Sequence, residues 1–262
     1  MKNAPKKSSS GLPLLLIALV LIGVVGGGWW LYSSSKPANV ANGAVTGSPT
    51  PRAAQIPTNA PVGASPPHML GSPTASVTVE EFADFQCGSC AATHPTVKEI
   101  QSIYGSKIKL IFREYPLSMH EKAYDAALAA EAAGIQGKFW AMQDQLFQNQ
   151  QTWSAANANH KQLWLDYAEK IGLNVQQFQS DIAGMATKSR VELDLTRGRA
   201  LNVSSTPTLF VNGQSVPYPE MNVAGLRRII DAELQKAPSQ PAPATAVSPR
   251  ANTAANSNSN SR

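Results

Sequence analysis

The sequence predicts an α/β domain in which helices flank a mixed central sheet, with an inserted all-helical subdomain and a preceding N-terminal transmembrane helix. Three observations support this fold class. A strand, a helix and a second strand follow one another from Ser76 to Leu117. Helical segments then occupy about residues 118–200, and a hairpin and a final helix close the region before Lys236.

Composition separates one foldable region, residues 71–236, from its flanks. Residues 33–70 and 237–262 are rich in Pro, Ser, Ala and Asn and contain few large apolar side chains. Such segments cannot bury enough surface to order themselves. We therefore expect a disordered linker before the foldable region and a disordered tail after it.

The N-terminus has the pattern of a membrane anchor. Residues 1–11 contain three lysines, and an uncharged apolar stretch follows from Leu12 to Tyr32. A bilayer-spanning helix needs about 20 apolar residues, and lysines stay on the cytoplasmic side. We expect a single-pass protein of the cell membrane, with residues 1–11 in the cytoplasm and the foldable region in the periplasm or cell exterior. A cleaved signal peptide is the alternative.

The charge distribution argues against nucleic-acid binding. The chain has a net charge of +5, yet all 17 acidic residues lie in residues 71–236, alongside 15 Lys and Arg. That region therefore carries −2. A nucleic-acid-binding domain concentrates positive charge on its folded part, so the basic excess belongs to the flanks and no nucleic acid is expected as a partner.

The first strand and helix meet at the cysteines. SVTVEEFADF, Ser76–Phe85, has the Val and Phe content of a buried strand. A helix is predicted from about Cys87, with Val97, Ile100 and Ile103 near helical spacing and Gly105 as its stop.

The second strand, KIKLIFREYPL, ends at Pro116, and Ser118 and Glu121 then stand in the spacing of a capping box. They predict a helix from Ser118 to Gly134, followed by four more helical segments. Two strands joined by a crossover helix pair in parallel, so the sheet should be mixed.

The end of the foldable region predicts a hairpin and a helix. TPTLFVNG and QSVPYP are two predicted strands joined at Asn212-Gly213, a dipeptide favoured in tight hairpin turns. The last helix has an apolar stripe of Val223, Leu226, Ile230 and Leu234.

The chain has two cysteines, Cys87 and Cys90, which could form a zinc site, a structural disulfide or a redox pair. A structural zinc site needs four ligands, and His94 is the one nearby supplement. A structural staple gains little from closing so short a loop. A redox pair fits better, because a thiol at a helix N-terminus ionises readily and a thiol one turn later can attack a mixed disulfide. No metal and no cofactor are expected.

Four segments in order resemble the thioredoxin-fold, DsbA-like disulfide oxidoreductases, especially membrane-anchored bacterial members. They are EFADFQCGSC, FREYPL, HEKAYDAALAAEAAGIQGKFWAMQDQLF and STPTLFVNG, and the resemblance covers most of residues 71–236. It implies a thioredoxin-like fold whose inserted helical subdomain lies at about residues 118–200.

The resemblance also assigns roles to individual residues. Cys87 matches the nucleophile, and Cys90 matches the resolving thiol. Pro207, preceded by Thr206, matches a cis-proline loop that offers backbone groups to an extended substrate. An ordinary proline at the start of a strand is the alternative. Glu81 matches a buried acid that assists proton transfer at the resolving cysteine.

Two points stay open in the sequence. Strand alternation does not decide whether Glu80 or Glu81 points inward. The dipeptide between the cysteines, Gly88 and Ser89, carries no charge, whereas many relatives have a proline, a bulky residue or an imidazole there. The direction of electron flow is therefore unsettled.

Three hypotheses follow for function. The first is an oxidase that introduces disulfides into exported proteins and is reoxidised by a quinone-linked membrane partner, which the resemblance alone implies. The second is a reductase or isomerase of the same fold, kept reduced by a membrane electron donor. The third is a non-enzymatic binding or chaperone module.

Overall fold

The computed structural model describes residues 55–236. The predicted cytoplasmic N-terminus (1–11), transmembrane anchor (12–32) and tail (237–262) lie outside the described residues. Within residues 55–236, no helix combines the length and apolar character that a membrane crossing requires.

The domain is built on a mixed sheet, as predicted. Strands β2 and β3 pair in parallel, and the other neighbouring strands pair antiparallel. In the described residues the order across the sheet is β1-β3-β2-β4-β5. The strands are β1 His68–Gly71, β2 Val77–Ala83, β3 Ile108–Glu114, β4 Thr208–Val211 and β5 Gln214–Ser215.

The parallel pair is connected by helix α1, Gly88–Tyr104, which begins one residue after Cys87. Val97 and Ile100 lie on its buried side, as their spacing predicts, whereas Ile103 is exposed. The helix ends at Gly105, which has a positive φ of 52° that glycine tolerates readily. The strand and helix predicted on either side of the cysteines are thus confirmed.

An inserted helical subdomain lies between β3 and β4, where the sequence predicts it. Its core is aromatic and includes Phe139, Phe147, Trp153, Trp164 and Phe178. The helices are α2 Ala123–Ile135, α3 Phe139–Gln148, α4 Gln150–Ser154, α5 His160–Lys170, α6 Val175–Ala183 and α7 Met185–Ala200.

The closing hairpin turns at Asn212 and Gly213, both with positive φ, as its turn type requires. Strand β5 is only two residues long, because Pro217 follows closely and lacks the N–H that a longer ladder needs. Helix α8, Val223–Lys236, completes the domain.

The two faces of the sheet carry different helices. Val77 and Val79 of β2 pack in one cluster with residues of α1 and α8. Phe82 packs on the other face with Val191 and Leu195 of α7. Alternation along β2 therefore directs Glu81 toward the α1 and α8 face and Glu80 toward α7.

The linker prediction is wrong for its last part. Residues 55–70 were assigned to a disordered segment, but β1 begins at His68 and Ala64 is buried. The backbone oxygens of Val62 and Ala64 accept hydrogen bonds from the buried guanidinium of Arg113. A buried cation needs such acceptors, and this holds an otherwise polar segment on the domain.

The start of the second predicted helix is also wrong. Helix α2 begins at Ala123, five residues after Ser118, and its cap residue Lys122 makes no side-chain capping bond. The backbone N–H groups of Leu117 and Lys122 instead donate to the side chains of Asp84 and Gln86. The loop is thus bound to the segment just before Cys87 rather than coiled into a helix.

Candidate active site

The two cysteines occupy the N-terminus of α1 in different environments. Cys87 is the N-cap residue, in extended conformation with φ −74° and ψ 120°. Cys87 is 7% exposed, whereas Cys90, one turn along, is 0% exposed. Both thiols are free. Cys87 is therefore the thiol that a substrate can reach, and it lies where the helix dipole favours negative charge.

Three groups surround the Cys87 sulfur. Its Sγ lies 3.1 Å from the Ser89 hydroxyl oxygen and 3.3 Å from the backbone oxygen of Thr206. A hydrogen bond from the Cys90 thiol, supported by the side-chain hydroxyls of Ser89 and Thr206, lowers the pKa of Cys87 to about 4 against the opposing effect of burial. At neutral pH Cys87 is then a thiolate, the form that attacks disulfides.

Cys90 has the opposite properties. Burial, followed by its hydrogen bond to Cys87, raises the pKa of the Cys90 thiol far above its usual range. Two donors oppose this effect, the backbone N–H of Asp84, which lies 3.5 Å from the Cys90 sulfur, and the Thr206 side chain. The pair thus holds one proton, on Cys90, while Cys87 carries the charge.

The loop before β4 brings Thr206 and Pro207 to the cysteines. The Thr206-Pro207 peptide bond is cis, and the Thr206 carbonyl oxygen lies 3.3 Å from the Cys87 sulfur and 3.2 Å from the Ser89 hydroxyl oxygen. Pro207 also directly precedes β4, a position that agrees with the alternative of an ordinary proline at the start of a strand.

The structure distinguishes the two candidate acids of β2. Both are buried, with Glu80 4% and Glu81 3% exposed. Burial opposes the ionisation of Glu80, but the hydrogen bonds and charges of Arg197 and Arg113 outweigh it and lower its pKa. Glu81 has no ion pair in residues 55–236, and burial raises its pKa to about 7. Of the two, Glu81 is the one able to exchange a proton near neutral pH.

Replacing Glu81 by glutamine is expected to flatten the pH dependence of stability. The pKa of Glu81 rises from 4.5 in the unfolded chain to about 7 in the folded domain, so the folded state is favoured when this carboxyl group is protonated. Its contribution to the free energy of unfolding is complete below pH 4.5 and is lost as the pH rises through about 7. Glu81→Gln should therefore raise the free energy of unfolding by about 3 kcal/mol at pH 8 and leave it unchanged near pH 4. Urea unfolding across this range measures the effect.

Glu99→Gln, at an exposed position of α1, is the matched control for this prediction. Parallel pH profiles for the wild type and Glu81→Gln would contradict it.

Between the cysteines, Gly88 is exposed and Ser89 is half-buried. A Cβ placed at Gly88 would meet no heavy atom within 4 Å, so this position accepts a side chain. The Ser89 hydroxyl, by contrast, contacts both the Cys87 sulfur and the Thr206 carbonyl oxygen. The dipeptide has no charge, but it supplies a hydrogen-bond donor.

Removal of the Ser89 hydroxyl should make Cys87 less acidic. Because a hydrogen bond to a charged group contributes about 1.5–3 kcal/mol, Ser89→Ala should raise the pKa of Cys87 by about one unit. The ultraviolet absorbance of the thiolate, followed against pH, gives this value. Gly88→Ala serves as the control, and an unchanged titration in Ser89→Ala would refute the assignment.

Sequence analysis missed four polar residues that hold the active-site segment. Asp84, Gln86 and His120 join it to the loop after β3. Gln150 of α4 donates to the carbonyls of Phe85 and Cys87 at 2.7 and 2.9 Å. The only signal in the sequence was the polar pair Asp84 and Gln86 in an otherwise apolar approach to Cys87.

The contacts of His94 indicate a structural role. It is 6% exposed, bonds to Asp144 at 2.9 Å and lies against the ring of Phe147. Within the part of the chain that the structure describes, no three His, Cys, Asp or Glu side chains are arranged to hold a metal ion.

The fold and the site together define a class. A mixed sheet with a helical insertion carries a C-x-x-C pair at a helix N-terminus, facing a cis-proline loop, which is the arrangement of a thioredoxin-fold dithiol protein. A family model described as Thioredoxin matches residues 64–232. The chain belongs to this thioredoxin family.

Solved structures agree on the fold. A thioredoxin-like oxidoreductase from Silicibacter pomeroyi DSS-3 is 26% identical, with a TM-score of 0.52 over 65% of this chain and 92% of the other. BdbD from Bacillus subtilis, in its oxidised form, is 24% identical, with a TM-score of 0.57 over 70% and 98%. The thiol-disulfide exchange protein α-DsbA2 from Wolbachia pipientis is 23% identical, with a TM-score of 0.52 over 63% and 85%. These structures confirm the thioredoxin-like fold that the resemblance predicts.

Curated relatives of this chain are named as Na(+)/H(+) antiporters, not as thioredoxins. The chain is 33% identical over 178 residues to Na(+)/H(+) antiporter NhaA 1 of Mycolicibacterium gilvum and 37% identical over 155 residues to NhaA 3 of Salinispora tropica. The matches cover 66% and 59% of this chain but 27% and 23% of those proteins. The chain thus spans about a quarter of their length, and ion exchange is stated of those proteins only.

Proposed function

We propose that the protein is a thiol-disulfide oxidoreductase that introduces disulfides into exported proteins. The observation that carries the proposal is the division between the two thiols. Cys87 is reachable and has a pKa of about 4, whereas Cys90 is fully buried and holds its proton. One thiol is thus suited to forming and releasing a mixed disulfide, and the other to closing the internal one.

In the oxidising direction a substrate thiolate attacks the Cys87 sulfur of the Cys87–Cys90 disulfide. Cys90 leaves as a thiolate and takes a proton, for which Glu81, with a pKa of about 7, is the proposed donor. A second substrate thiolate then attacks the substrate sulfur of the mixed disulfide, and Cys87 leaves as a thiolate. The substrate gains a disulfide, and the protein retains two electrons.

The direction is argued from the stability of the Cys87 thiolate. Hydrogen bonds to that thiolate stabilise the reduced protein, and a dithiol whose reduced form is stabilised has a strongly oxidising disulfide. The Ser89 hydroxyl at 3.1 Å supplies part of the stabilisation that a charged or imidazole side chain would otherwise give. This favours an oxidase over a reductase or isomerase.

The cellular setting completes the proposal. The apolar stretch 12–32 would tether the domain to the membrane, with the thiols outside the cytoplasm, where disulfides persist. Substrates would be exported proteins with free thiols, held in extended form beside Thr206 and Pro207. A quinone-linked membrane oxidoreductase would accept the two electrons and restore the disulfide.

Equilibration of the protein with glutathione buffers tests the proposal. We expect a reduction potential between about −180 and −120 mV, the range of protein disulfide isomerase and DsbA. A value near that of thioredoxin, about −270 mV, would favour a reductase and overturn the oxidase assignment. If the protein does not exchange with glutathione at all, both enzyme hypotheses are wrong and the non-enzymatic binding or chaperone module remains.

A further inference from the structure

Asp84 contacts both ends of the C-x-x-C segment through its backbone. It lies between the end of β2 and Cys87, and its carbonyl accepts from the Cys87 N–H at 3.1 Å. Its own N–H points to the Cys90 sulfur at 3.5 Å. Among residues 55–236 this is the one backbone donor to that sulfur.

The Asp84 side chain is fully buried and fully used. Its carboxylate accepts from the backbone N–H of Gln86 at 2.6 Å, from that of Leu117 at 2.8 Å and from Nδ1 of His120 at 2.7 Å. Three donors on one buried carboxylate fix its position, because a charge without partners there would be costly. We refer to Asp84, Gln86, Leu117 and His120 as the Asp84 clamp.

The clamp connects the active-site segment to the loop that follows β3. A second contact runs in parallel, since the Gln86 side chain accepts from the Lys122 N–H at 2.7 Å. His120 forms the outer end of the clamp, with a quarter of its side chain exposed. The peptide that faces Cys90 is therefore held from a loop more than 30 residues away in the chain.

We propose that Asp84 is a positioning residue for Cys90, with His120 as its support: the clamp holds the Asp84 amide on the sulfur where negative charge forms. This inference rests on the proposed exchange function. Donors fixed in advance at a developing charge act most strongly where water is excluded, as it is around Cys90.

The step concerned is the attack of Cys90 on a mixed disulfide. Cys90 loses its proton, for which Glu81 is the proposed acceptor, and its thiolate attacks the Cys87 sulfur. The bond between Cys87 and the substrate sulfur breaks, and the substrate sulfur leaves as a thiolate. The number of disulfides is unchanged, so no further oxidant is consumed. In the reverse direction the same amide stabilises Cys90 as the leaving group.

Charge and positioning predict opposite results for Asp84→Asn. A negative carboxylate near Cys90 disfavours a second negative charge, so its removal alone would speed the ionisation and attack of Cys90. If Asp84 acts by holding its amide in place, asparagine should slow the attack, because its NH₂ group cannot accept from the donors of the clamp. Whether Asp84→Asn speeds or slows the attack of Cys90 therefore distinguishes a charge effect from a positioning effect.

The experiment mixes the reduced full-length protein with glutathione disulfide, quenches with acid and counts the disulfide species by mass spectrometry. It gives one rate for the attack of Cys87 and another for the release of glutathione by Cys90. We expect Asp84→Asn to slow the release about tenfold and to change the Cys87 attack by less than about threefold. His120→Gln should slow the release by a smaller factor.

The matched control is Asp144→Asn, which breaks another aspartate–histidine pair, to His94 at 2.9 Å, and should leave both rates unchanged. Glutathione release at or above the wild-type rate in Asp84→Asn would overturn the inference, as would an equal fall in both rates. If Asp84→Asn does not fold, by circular dichroism, wild-type release in His120→Gln overturns it instead. A wild type that forms no mixed disulfide would refute the proposed function itself.

Discussion

Replacing Cys87 by serine is expected to lower the rate of thiol-disulfide exchange by on the order of a thousandfold or more. Cys87 is the reachable thiol of the pair and the one whose pKa is about 4, so it alone combines access with a thiolate at neutral pH. A serine hydroxyl remains protonated there. Reduction of a model protein disulfide, or oxidation of a dithiol peptide, measures the loss.

Cys90→Ser is the matched variant, and its expected result is different in kind. Cys87 remains in place at the helix N-terminus and still attacks. The mixed disulfide then accumulates because nothing inside the protein resolves it. For Cys87→Ser, the contrary outcome is an exchange rate equal to that of the wild type. That result would exclude the enzyme assignment and favour a binding module.

Replacing Arg113 by methionine should destabilise the domain by about 3–5 kcal/mol, since removal of one partner leaves buried charges uncompensated. The Arg113 guanidinium is 5% exposed and lies between Glu80 at 2.7 Å and Asp194 at 2.9 Å. It also donates to the carbonyls of Val62 and Ala64. Urea unfolding at neutral pH gives the change in the free energy of unfolding.

The pH dependence provides a second measurement on the same variant. The pKa of Glu80 is lowered in the folded protein, so its contribution is present above 4.5 and is lost as the pH falls through the folded value. The stability gap between wild type and Arg113→Met should therefore narrow in acid. Arg228→Met, which breaks an exposed pair with Glu220, should cost less than about 1 kcal/mol. A loss of that size for Arg113→Met would contradict the prediction.

Local sequence patterns predicted the elements that position the cysteines. The apolar run of β2, the helical spacing after Cys87 and the Asn212-Gly213 turn each depend on neighbours within a few residues. The separate roles proposed for Cys87 and Cys90 follow from their order at a helix N-terminus, which sequence also predicts. These features were predictable because the physics that produces them is short-range.

Contacts between distant parts of the chain were not predictable in this way. Ser118 and Glu121 satisfy a helix-start pattern, yet the amides of their loop bond to Asp84 and Gln86 across more than 30 residues. The polar segment before β1 has the composition of a linker, yet buried or half-buried arginines, Arg113 and Arg197 among them, bind its backbone carbonyls. In both cases a buried polar group that required partners overrode the local signal.

The sequence by itself determined the class of fold, the C-x-x-C pair at a helix N-terminus and the residues that accompany it in the family. Only the tertiary structure decided that Glu81, and not Glu80, is the acid without an ion pair among the described residues, because Arg113 and Arg197 reach Glu80 from β3 and α7. It also decided that Ser89 contacts the Cys87 sulfur and that Asp84 faces Cys90. The Glu80 ion pairs join residues far apart in the chain, and the Ser89 and Asp84 contacts depend on the exact geometry of the folded segment. Periodicity and composition encode neither.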